Sequence, residues 1–425
     1  MRVLLSAYAC EPNRGSEPAV GWNVACALAQ DHDVWVLTRA NNREVIERET
    51  RAREGSWPRF VYFDLPSYVS WWKRGPRGVQ LYYHLWQLAA WKKGMSLQRE
   101  IGFDIVQHLT FARYWTPAPI GLIGPPFVWG PVGGGDRVPS PLVRSFSWRG
   151  RLRNRARMLG RRLGELDPLV RACARRATVA LGTTEETADR LRSLNAKRVQ
   201  ILPAVALSDD DLQVLSPPEN RRGRRINILS VGTLASLKGF HLGIEAFGRA
   251  DIQDAHYTIV GGGPERERLD SLIQRLDLGS RVRLGGELPR EQVFRLMSEC
   301  DVFLHPSLQD SGGMVCLEAM AAAKPVICMK LGGPEQLTDP SCALRVLPTD
   351  IDQTIEGLAE ALRTLGTDEN LRTRLGCAGR RRVHERFRWR LTAQAISEVY
   401  TAALEFDRQS ANNAIGRGTD AAGRH

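Results

Sequence analysis

Two carboxylates beside a pair of glycines are the strongest chemical pattern in the chain. Asp310 and Glu318 lie eight positions apart, and Gly312 and Gly313 stand between them. Ionised carboxylates accept hydrogen bonds from hydroxyl groups, and glycine lets the backbone come close to a bound molecule. The pattern therefore predicts a binding site for a molecule that is rich in hydroxyl groups.

The elements around this segment must position it. An apolar run ends at His305 and a helical pattern begins at Val315, so the glycines lie in a strand-to-helix loop. The N–H groups of Gly313, Met314 and Val315 at the helix start are expected to lack partners within the helix, which suits phosphate or sugar oxygens. The alternative interpretation is an ordinary loop whose acidic residue stabilises the helix dipole.

A second motif follows the first predicted strand of the second half. Residues 231–239 read Val-Gly-Thr-Leu-Ala-Ser-Leu-Lys-Gly, and Lys238 stands just before a predicted helix. An ammonium group at this place can offset the charge that grows on a leaving diphosphate. Taken alone, the lysine would be interpreted as a solvated loop residue.

Together the two segments resemble the retaining family-4 glycosyltransferases, which have the GT-B fold. Asp310 stands where that family usually has glutamate, and Gly312 stands where it usually has an aromatic residue. The resemblance implies that Asp310 holds the donor sugar and that Glu318 holds the ribose hydroxyls of the nucleotide. The segments that carry the resemblance are 306–307, 310–313, 318–321, 325–326 and 332–335.

The resemblance also assigns roles to three further loops. Residues 231–239 correspond to the diphosphate loop, with Lys238 as the cation and Thr233 in place of the family's arginine. The glycine run ending at Gly263 would line the nucleotide, although as a dinucleotide fingerprint it lacks the third glycine. Gly286 and Leu288 would then lie at the base. Arg283, Arg290 or a residue of the first half are candidates for the missing cation.

Two positions in the first half are candidates for the same site. Gly15 lies in the loop after the first predicted strand, and Glu17 follows it at a helix start. His108 ends a predicted strand, at the carboxyl edge where open α/β sheets bind ligands. The alternatives are a plain capped helix for the first loop and a structural histidine for the second. By resemblance, Gly15 faces the donor phosphates and His108 lies beside the sugar.

The resemblance implies a reaction without a side-chain nucleophile and without a metal or other cofactor. In this family the leaving diphosphate is thought to take the proton of the acceptor hydroxyl. The sequence offers no Asp-x-Asp pair in a plausible metal-holding loop, because Asp209–Asp211 falls in a predicted linker and Asp31 and Asp33 precede a strand. The nucleotide-diphosphate-sugar is therefore expected as a substrate, with Lys238 and helix N-termini offsetting its charge.

Composition limits the class of protein. The chain has 425 residues, 43% of them hydrophobic and 25% charged, with eight cysteines and no pair at C-x-x-C spacing. This excludes collagen-like, disordered and polytopic membrane proteins, and the scattered cysteines predict a reducing compartment, so we expect a cytoplasmic protein. The net charge of +12 is concentrated in residues 1–205, which hold 31 lysines and arginines against 17 acidic residues.

The basic residues cluster in one stretch. Residues 141–176 contain eleven arginines, and a second segment nearby carries the tryptophans Trp71, Trp72, Trp86 and Trp91. Basic stretches beside tryptophan are typical of proteins that bind an anionic membrane surface, as a lipid-linked acceptor would require. The alternative is a solvated arginine face beside a tryptophan-containing core. Nucleic acid is a weaker third interpretation, because no nucleic-acid-binding motif accompanies the charge.

Strand-like and helix-like segments alternate through both halves, which predicts parallel sheets. The expected fold is α/β of the GT-B type, with two Rossmann-like, doubly wound domains facing an interdomain cleft. The predicted parts are an acceptor-side domain with basic and aromatic insertions, a linker, a nucleotide-sugar domain, a terminal helix that returns to the first domain and a disordered tail. In that order they span residues 1–207, 208–225, 226–386, 387–406 and 407–425.

The function predicted from this resemblance is retaining transfer of a sugar from a nucleotide-diphosphate-sugar to a hydroxyl acceptor. A lipid-linked glycan in surface polysaccharide assembly is the candidate acceptor, and the enzyme would work in the cytoplasm or at the inner face of the membrane. The alternative is a non-catalytic nucleotide-sugar-binding or scaffold protein that kept the fold, which the residues at Asp310 and Thr233 favour. A dehydrogenase or epimerase ranks third, because no complete dinucleotide fingerprint is present.

Overall fold

The computed structural model describes residues 1–15, 17–70, 78–215 and 225–422 and shows an α/β protein with two parallel sheets. The apolar runs of the sequence become strands that are buried on both faces, as is typical of parallel sheets. Within the described residues, the strands of the first sheet are β1 (Arg2–Ser6), β2 (Asp33–Arg39), β3 (Arg59–Phe63), β4 (Ile105–His108), β5 (Phe127–Val132), β6 (Val179–Gly182) and β7 (Val199–Ile201).

The first sheet has the strand order β3-β2-β1-β4-β5-β6-β7, which is doubly wound. β1 and β4 are in register from Val3 opposite Ile105 to Ser6 opposite His108, so their carboxyl ends meet at one edge. Trp86 and Trp129 are fully buried in its core. The helices of this half are α1 (Glu17–Leu28), α2 (Arg43–Ala52), α3 (Ser67–Ser70), α4 (Val79–Ile101), α5 (Trp148–Leu166), α6 (Pro168–Arg176) and α7 (Glu185–Ser193).

The second sheet has the order β10-β9-β8-β11-β12-β13. Its strands in the described residues are β8 (Ile226–Val231), β9 (Ala255–Val260), β10 (Val282–Gly286), β11 (Val302–His305), β12 (Val326–Met329) and β13 (Ala343–Val346). The helices of this half are α8 (Asp209–Val214), α9 (Phe240–Ala250), α10 (Arg266–Arg275), α11 (Arg290–Glu299), α12 (Met314–Ala321), α13 (Gly332–Leu337), α14 (Ile351–Thr367), α15 (Glu369–Arg386) and, ending the chain, α16 (Trp389–Ala422).

Side-chain alternation in β11 shows how the second core is built. Val302 and Leu304 join one apolar cluster, whereas Phe303 joins another. Successive side chains of a strand point to opposite faces of the sheet. The second sheet is therefore packed on both faces, and this fixes the strand ends from which the candidate site extends.

The chain divides into two compact units whose boundaries differ from the predicted domains. The first unit contains residues 1–135, 160–204 and 389–425, and the second contains 136–159 and 205–388. The prediction assigned all of residues 1–207 to one domain. Residues 136–159 instead pack with the second unit, where Ser147 donates a hydrogen bond to Glu265 and the Asp136 carbonyl accepts one from Gln309. Helix α16 packs with the first unit, mainly against α1.

The predicted linker, residues 208–225, is wrong in its first part. Residues 209–214 form α8, whose N-terminus carries a reciprocal capping box between Ser208 and Asp211. The three acidic residues of the first turn interact favourably with the helix dipole. Leu212 and Leu215 are buried. Two buried leucines are too few to reveal a helical period in such a polar sequence. Residues 216–224 lie outside the described residues.

The tail predicted as disordered, residues 407–425, is helical as far as Ala422, where α16 ends, and residues 423–425 lie outside the described residues. Its composition of small polar residues is not typical of a packed helix, but a helix continues readily once its first turns are fixed by packing. Among the described residues, we find no helix with the length and apolar character needed to cross a membrane.

The aromatic part of the membrane prediction is not supported by the position of Trp86, which is fully buried. Its indole N–H donates to the carbonyl of Phe63, so the ring belongs to the core of the first unit. Trp91 is partly buried, and Trp71 and Trp72 lie outside the described residues. Most of the basic stretch is helical and forms α5 and α6.

Candidate functional site

The loops predicted to form the site in the second half meet at one edge of the second sheet. All its strands are parallel, so the segments that follow β8, β9, β10, β11 and β12 leave from the same edge. Backbone hydrogen bonds connect the loops of neighbouring strands along that edge. The donor–acceptor pairs are Gly261 to Gly286 (2.8 Å), Leu234 to Gly262 (2.8 Å), Leu308 to Leu237 (2.9 Å) and Gly333 to Asp310 (2.7 Å).

Asp310 is the centre of this arrangement. Its Oδ2 atom lies 2.6 Å from the Lys238 ammonium and 3.2 Å from Nε2 of His305. Its Oδ1 atom accepts hydrogen bonds from the backbone N–H groups of Gly312 and Gly313, at 3.2 and 3.0 Å. The carboxylate therefore closes the glycine loop on itself and ties it to the loop after β8.

These contacts determine the protonation state of the carboxylate. Burial alone would raise the pKa of Asp310, but the Lys238 ammonium and the His305 ring hold it well below its usual range. Burial lowers the pKa of His305, even though Asp310 opposes the shift. The site therefore contains a firmly ionised carboxylate next to an ammonium group.

The prediction that the Gly313 N–H group lacks a partner is wrong. This group donates to Asp310 Oδ1, so it is not available to a ligand in this structure. An aspartate side chain often accepts hydrogen bonds from N–H groups two or three residues further along the chain. Met314 and Val315 are the first two residues of α12, where N–H groups have no partner within a helix.

Glu318 lies in the second turn of α12 and is 7% exposed. Its Oε1 atom is 3.6 Å from Nη2 of Arg290, whose Nη1 is 2.9 Å from Asp211 Oδ1. Burial raises the pKa of Glu318 to about 7, although Arg290 opposes the shift. Arg290, which the sequence offered as a replacement for the missing arginine, is thus engaged by two carboxylates.

The remaining predicted donor-binding residues of this half lie on the same edge. Thr233 and Gly263 are exposed, and Gly286 and Leu288 are partly buried. The structure thus places the four positions on the same edge of the sheet as the loops that hold Lys238 and Asp310. Their contacts with a ligand stay predictions.

Two glycines permit the close approach of these loops. A Cβ atom on Gly263, at φ 154°, would lie 2.5 Å from the carbonyl oxygen of Leu234. A Cβ atom on Gly239, at φ 67°, would lie 2.0 Å from the carbonyl oxygen of Pro306. Both clashes involve backbone atoms, which cannot move aside as a flexible side chain can. The loops therefore keep their spacing only with glycine here.

Residues 136–159 reach the same loop from another part of the sequence. Ser311 Oγ donates to Asp136 Oδ2, and the Gln309 side-chain amide donates to the Asp136 carbonyl at 2.8 Å. Arg157 donates to Gln309 Oε1 at 2.5 Å. Asp136 is 3% exposed. These contacts fix the segment to the loop that holds Asp310.

The candidates of the first half lie in the first unit. His108 is 1% exposed, its Nε2 lies 3.1 Å from the Tyr83 hydroxyl, and burial lowers its pKa to about 4. Gly15 is exposed, and a Cβ atom there would meet nothing within 4 Å. Glu17 accepts a hydrogen bond from the Phe111 N–H at 3.0 Å. Ser16 lies outside the described residues.

Sequence reasoning missed the partners that set these properties. Neither His305 nor Gln309 was assigned a role beside Asp310, although His305 ends β11 and strand ends are a usual place for site residues. Asp211 was assigned to a linker, and nothing in its spacing connects it to Glu318. Among the described residues we find no cluster of three or more His, Cys, Asp or Glu side chains arranged as metal ligands.

Comparison with known proteins agrees with this geometry. Residues 213–382 match the family model described as Glycosyl transferases group 1. Over 226 residues the chain is 31% identical to the lipopolysaccharide core biosynthesis glycosyltransferase LpsD of Rhizobium meliloti (strain 1021). That match covers 51% of this chain and 60% of LpsD, so it spans less than two thirds of the relative's length.

Solved structures agree on the fold. The sucrose-phosphate synthase of Thermosynechococcus elongatus has a TM-score of 0.66 at 20% identity, and the match covers 94% of this chain and 98% of that chain. HepE of Anabaena, solved in complex with UDP, has a TM-score of 0.62 at 17% identity, with 94% and 99% covered. The two sheets are thus the two Rossmann-like halves of a GT-B fold, as the sequence predicted.

Proposed function

We propose that the chain transfers a sugar from a nucleotide-diphosphate-sugar to a hydroxyl acceptor, because residues 213–382 match the family model of the group 1 glycosyl transferases. The observation that supports this most is the contact between the Lys238 and Asp310 loops at the carboxyl edge of the second sheet, with Glu318 on the helix that follows the second loop. Ligands of open α/β sheets bind outside this edge.

In this proposal Lys238 acts on the diphosphate. Its side chain is about one-fifth exposed, so the ammonium group can reach a phosphate oxygen while it stays beside Asp310. The N–H groups that begin α12 would add to the positive potential. Charge grows on the diphosphate as its bond to the sugar breaks, so a fixed cation stabilises the transition state more than the ground state.

Asp310 and Glu318 hold the donor in place. Asp310 is firmly ionised and retains lone pairs that can accept hydrogen bonds from sugar hydroxyls. Glu318, with its pKa raised to about 7, can accept or donate a hydrogen bond at the ribose. Both residues bind and orient; neither is proposed as a nucleophile.

The chemical step is balanced without a protein base. The bond from the anomeric carbon to the phosphate oxygen breaks, and a bond from that carbon to the acceptor oxygen forms on the same face. The acceptor proton passes to the departing diphosphate. Retention at the anomeric carbon and independence of metal ions are parts of the proposal, with Lys238 supplying the charge that a metal would otherwise supply.

A glycan, free or lipid-linked, is the proposed acceptor class, with surface polysaccharide assembly as the context. The support is the name of LpsD, a lipopolysaccharide core biosynthesis glycosyltransferase. HepE, which was solved with UDP, supports a nucleotide donor. A cytoplasmic location is also proposed, and the eight cysteines, all free in the structure, agree with a reducing compartment.

The test offers the purified full chain UDP-, GDP- and ADP-sugars with a membrane lipid extract and measures nucleotide release. We expect release with one donor class, and its loss in both Lys238→Ala and Glu318→Ala. Lys330→Ala and Glu291→Ala, at exposed positions of the same unit, are the matched controls. Nucleotide binding without turnover of any donor would instead support the scaffold alternative and overturn the enzyme.

A further inference from the structure

Helix α5 exposes five large apolar side chains. Trp148, Leu152, Leu159, Leu163 and Leu166 are each between 59% and 66% exposed. Soluble proteins expose single apolar residues often, but a continuous row usually marks an interaction site. These five account for more than a third of the thirteen large hydrophobic residues exposed in the described parts of the chain.

The five side chains share one face of the helix. At about 100° per residue, their positions fall within about 60° of one another around the helix axis. The opposite face packs on protein: a Cβ atom on Gly150 would lie 2.1 Å from Ser236 Oγ, and one on Gly164 would lie 2.4 Å from the Trp115 carbonyl oxygen. The helix thus has one packed face and one apolar face that points outward. We call the latter the leucine face.

Exposed arginines flank the leucine face on both sides. Arg151, Arg155 and Arg162 lie on one side by the same helical geometry, and Arg149 lies on the other. Within the described parts of the chain, no carboxylate lies at ion-pair distance from any of the four. The guanidinium of Arg149 stands 5.2 Å from the Trp148 ring. The surface is thus apolar along its centre and positive along its edges.

The two acidic residues of the basic stretch do not neutralise this surface. Glu165 accepts a hydrogen bond from the Tyr114 hydroxyl at 2.6 Å, and Asp167 accepts one from the Leu169 N–H at the start of α6. Both carboxylates are therefore engaged by groups within the protein. The positive charge beside the leucine face remains available to an outside partner.

We propose that the leucine face of α5 docks the protein on the surface of a bilayer that contains anionic phospholipids. An amphipathic helix with arginines beside leucine and tryptophan lies in the plane of the interface, with its apolar side chains among the acyl chains and its cations at the headgroups. Each arginine near an anionic surface strengthens partitioning roughly five-fold. The docking does not depend on the glycosyl transfer proposed above.

Two other occupants fit the surface less well. A nucleic acid would engage the arginines but would leave five apolar side chains against a polar backbone. A second copy of the chain could cover the leucines, but a symmetric contact would bring the arginine rows of the two helices close together. A bilayer matches both the apolar centre and the charged edges. Both alternatives become outcomes of the test.

The experiment is flotation of the purified full chain with vesicles of phosphatidylcholine, alone or mixed with one third phosphatidylglycerol. We expect binding to the mixed vesicles. Leu152→Glu/Leu159→Glu should abolish it at every salt concentration. Arg151→Glu/Arg155→Glu should lower the partition coefficient by roughly 25-fold or more at low salt, because two arginine contributions are lost, and less at high salt, where charges are screened.

The controls are charge and leucine substitutions elsewhere on the surface. Arg374→Glu/Arg381→Glu and Leu347→Glu change exposed residues of the second unit and should leave flotation unchanged. Circular dichroism and thermal unfolding confirm that each variant is folded. Absence of binding to mixed vesicles overturns the proposal. The proposal is also overturned if the protein does not float with vesicles but binds duplex DNA and keeps that binding after the leucine substitutions. It is overturned as well if sedimentation velocity shows a lipid-free dimer that the leucine substitutions dissociate.

Discussion

The Lys238 ammonium and the Asp310 carboxylate form an ion pair of 2.6 Å that joins positions 72 residues apart in the sequence. The pair connects the loop after β8 to the loop after β11, the two central strands of the second sheet. His305 and the backbone N–H groups of Gly312 and Gly313 complete the surroundings of the carboxylate. Lys238 and Asp310 thus hold two loops together and also belong to the proposed donor site.

Lys238→Met should destabilise the second unit by about 1–3 kcal/mol, because it leaves a largely buried carboxylate without its cation. The partial exposure of both side chains keeps the cost at the lower end of what buried pairs show. Adding Asp310→Asn should recover part of this loss, since no unpaired charge then remains. Urea unfolding of the two single variants and the double variant measures the coupling. Strictly additive effects would show that the pair contributes nothing.

Glu318 should make the protein less stable as the pH rises. Burial raises the pKa of its carboxyl to about 7, so between its ordinary pKa and pH 7 the folded state binds more protons than the unfolded state, and the free energy of unfolding falls. Glu318→Gln removes this pH dependence. Between pH 5 and 7.5 the free energy of unfolding of the variant should therefore rise by on the order of 1–2 kcal/mol relative to that of the wild type.

Urea unfolding at the two pH values measures this difference, with Glu291→Gln, an exposed carboxylate of α11, as the control. The control should follow the wild type at both pH values. A Glu318→Gln variant whose stability changes in parallel with the wild type would mean that the carboxyl titrates in its ordinary range.

Gly263→Ala should destabilise the protein by several kcal/mol or prevent folding, since its Cβ would lie 2.5 Å from a backbone oxygen at a positive φ. Gly160→Ala is the matched control. It lies inside α5, where a Cβ would meet nothing within 4 Å, and it should stabilise the helix by about 0.5–1 kcal/mol. Thermal unfolding of both variants compares them. Equal effects would mean that loop spacing does not require the glycine.

His108 should make the protein more stable as the pH rises from 4 to 6.5. Burial lowers its pKa to about 4, so in this range the unfolded state binds more protons than the folded state, and the free energy of unfolding increases with pH. In His108→Gln this increase should shrink by on the order of 2–3 kcal/mol. His84→Gln, at an exposed position of α4, is the control and should keep the wild-type dependence of stability on pH. If His108→Gln also kept it, the His108 ring would be charged in the folded protein and the prediction would be wrong.

The sequence predicts the fold well because parallel strands buried on both faces appear as continuous apolar runs. β8 (Ile226–Val231) and β11 (Val302–His305) are two such runs. β13 (Ala343–Val346) is harder to find from the sequence, because only its two end residues are buried, whereas all four residues of β11 are buried. Helix α8 depends on a capping box and two buried leucines, and such a short helix gives no period.

The site was predictable where residues close in sequence determine it and not where distant residues meet. The glycine loop, Lys238 and Glu318 were found from motifs. The contact of Asp211 with Arg290, and that of Asp136 with Ser311, join segments far apart in the chain. No spacing encodes such contacts. The leucine face of α5 has helical spacing, but only the structure shows that this face is the one left exposed.

The most direct test of the account is calorimetric titration of the full chain with UDP, GDP and ADP. We predict that one of the three binds the wild type, that Lys238→Ala and Glu318→Ala weaken its binding at least tenfold, and that Lys330→Ala leaves it unchanged. If none of the three binds the folded wild type, or if the variants bind as tightly as the wild type, the loops around Asp310 are not a nucleotide-sugar site.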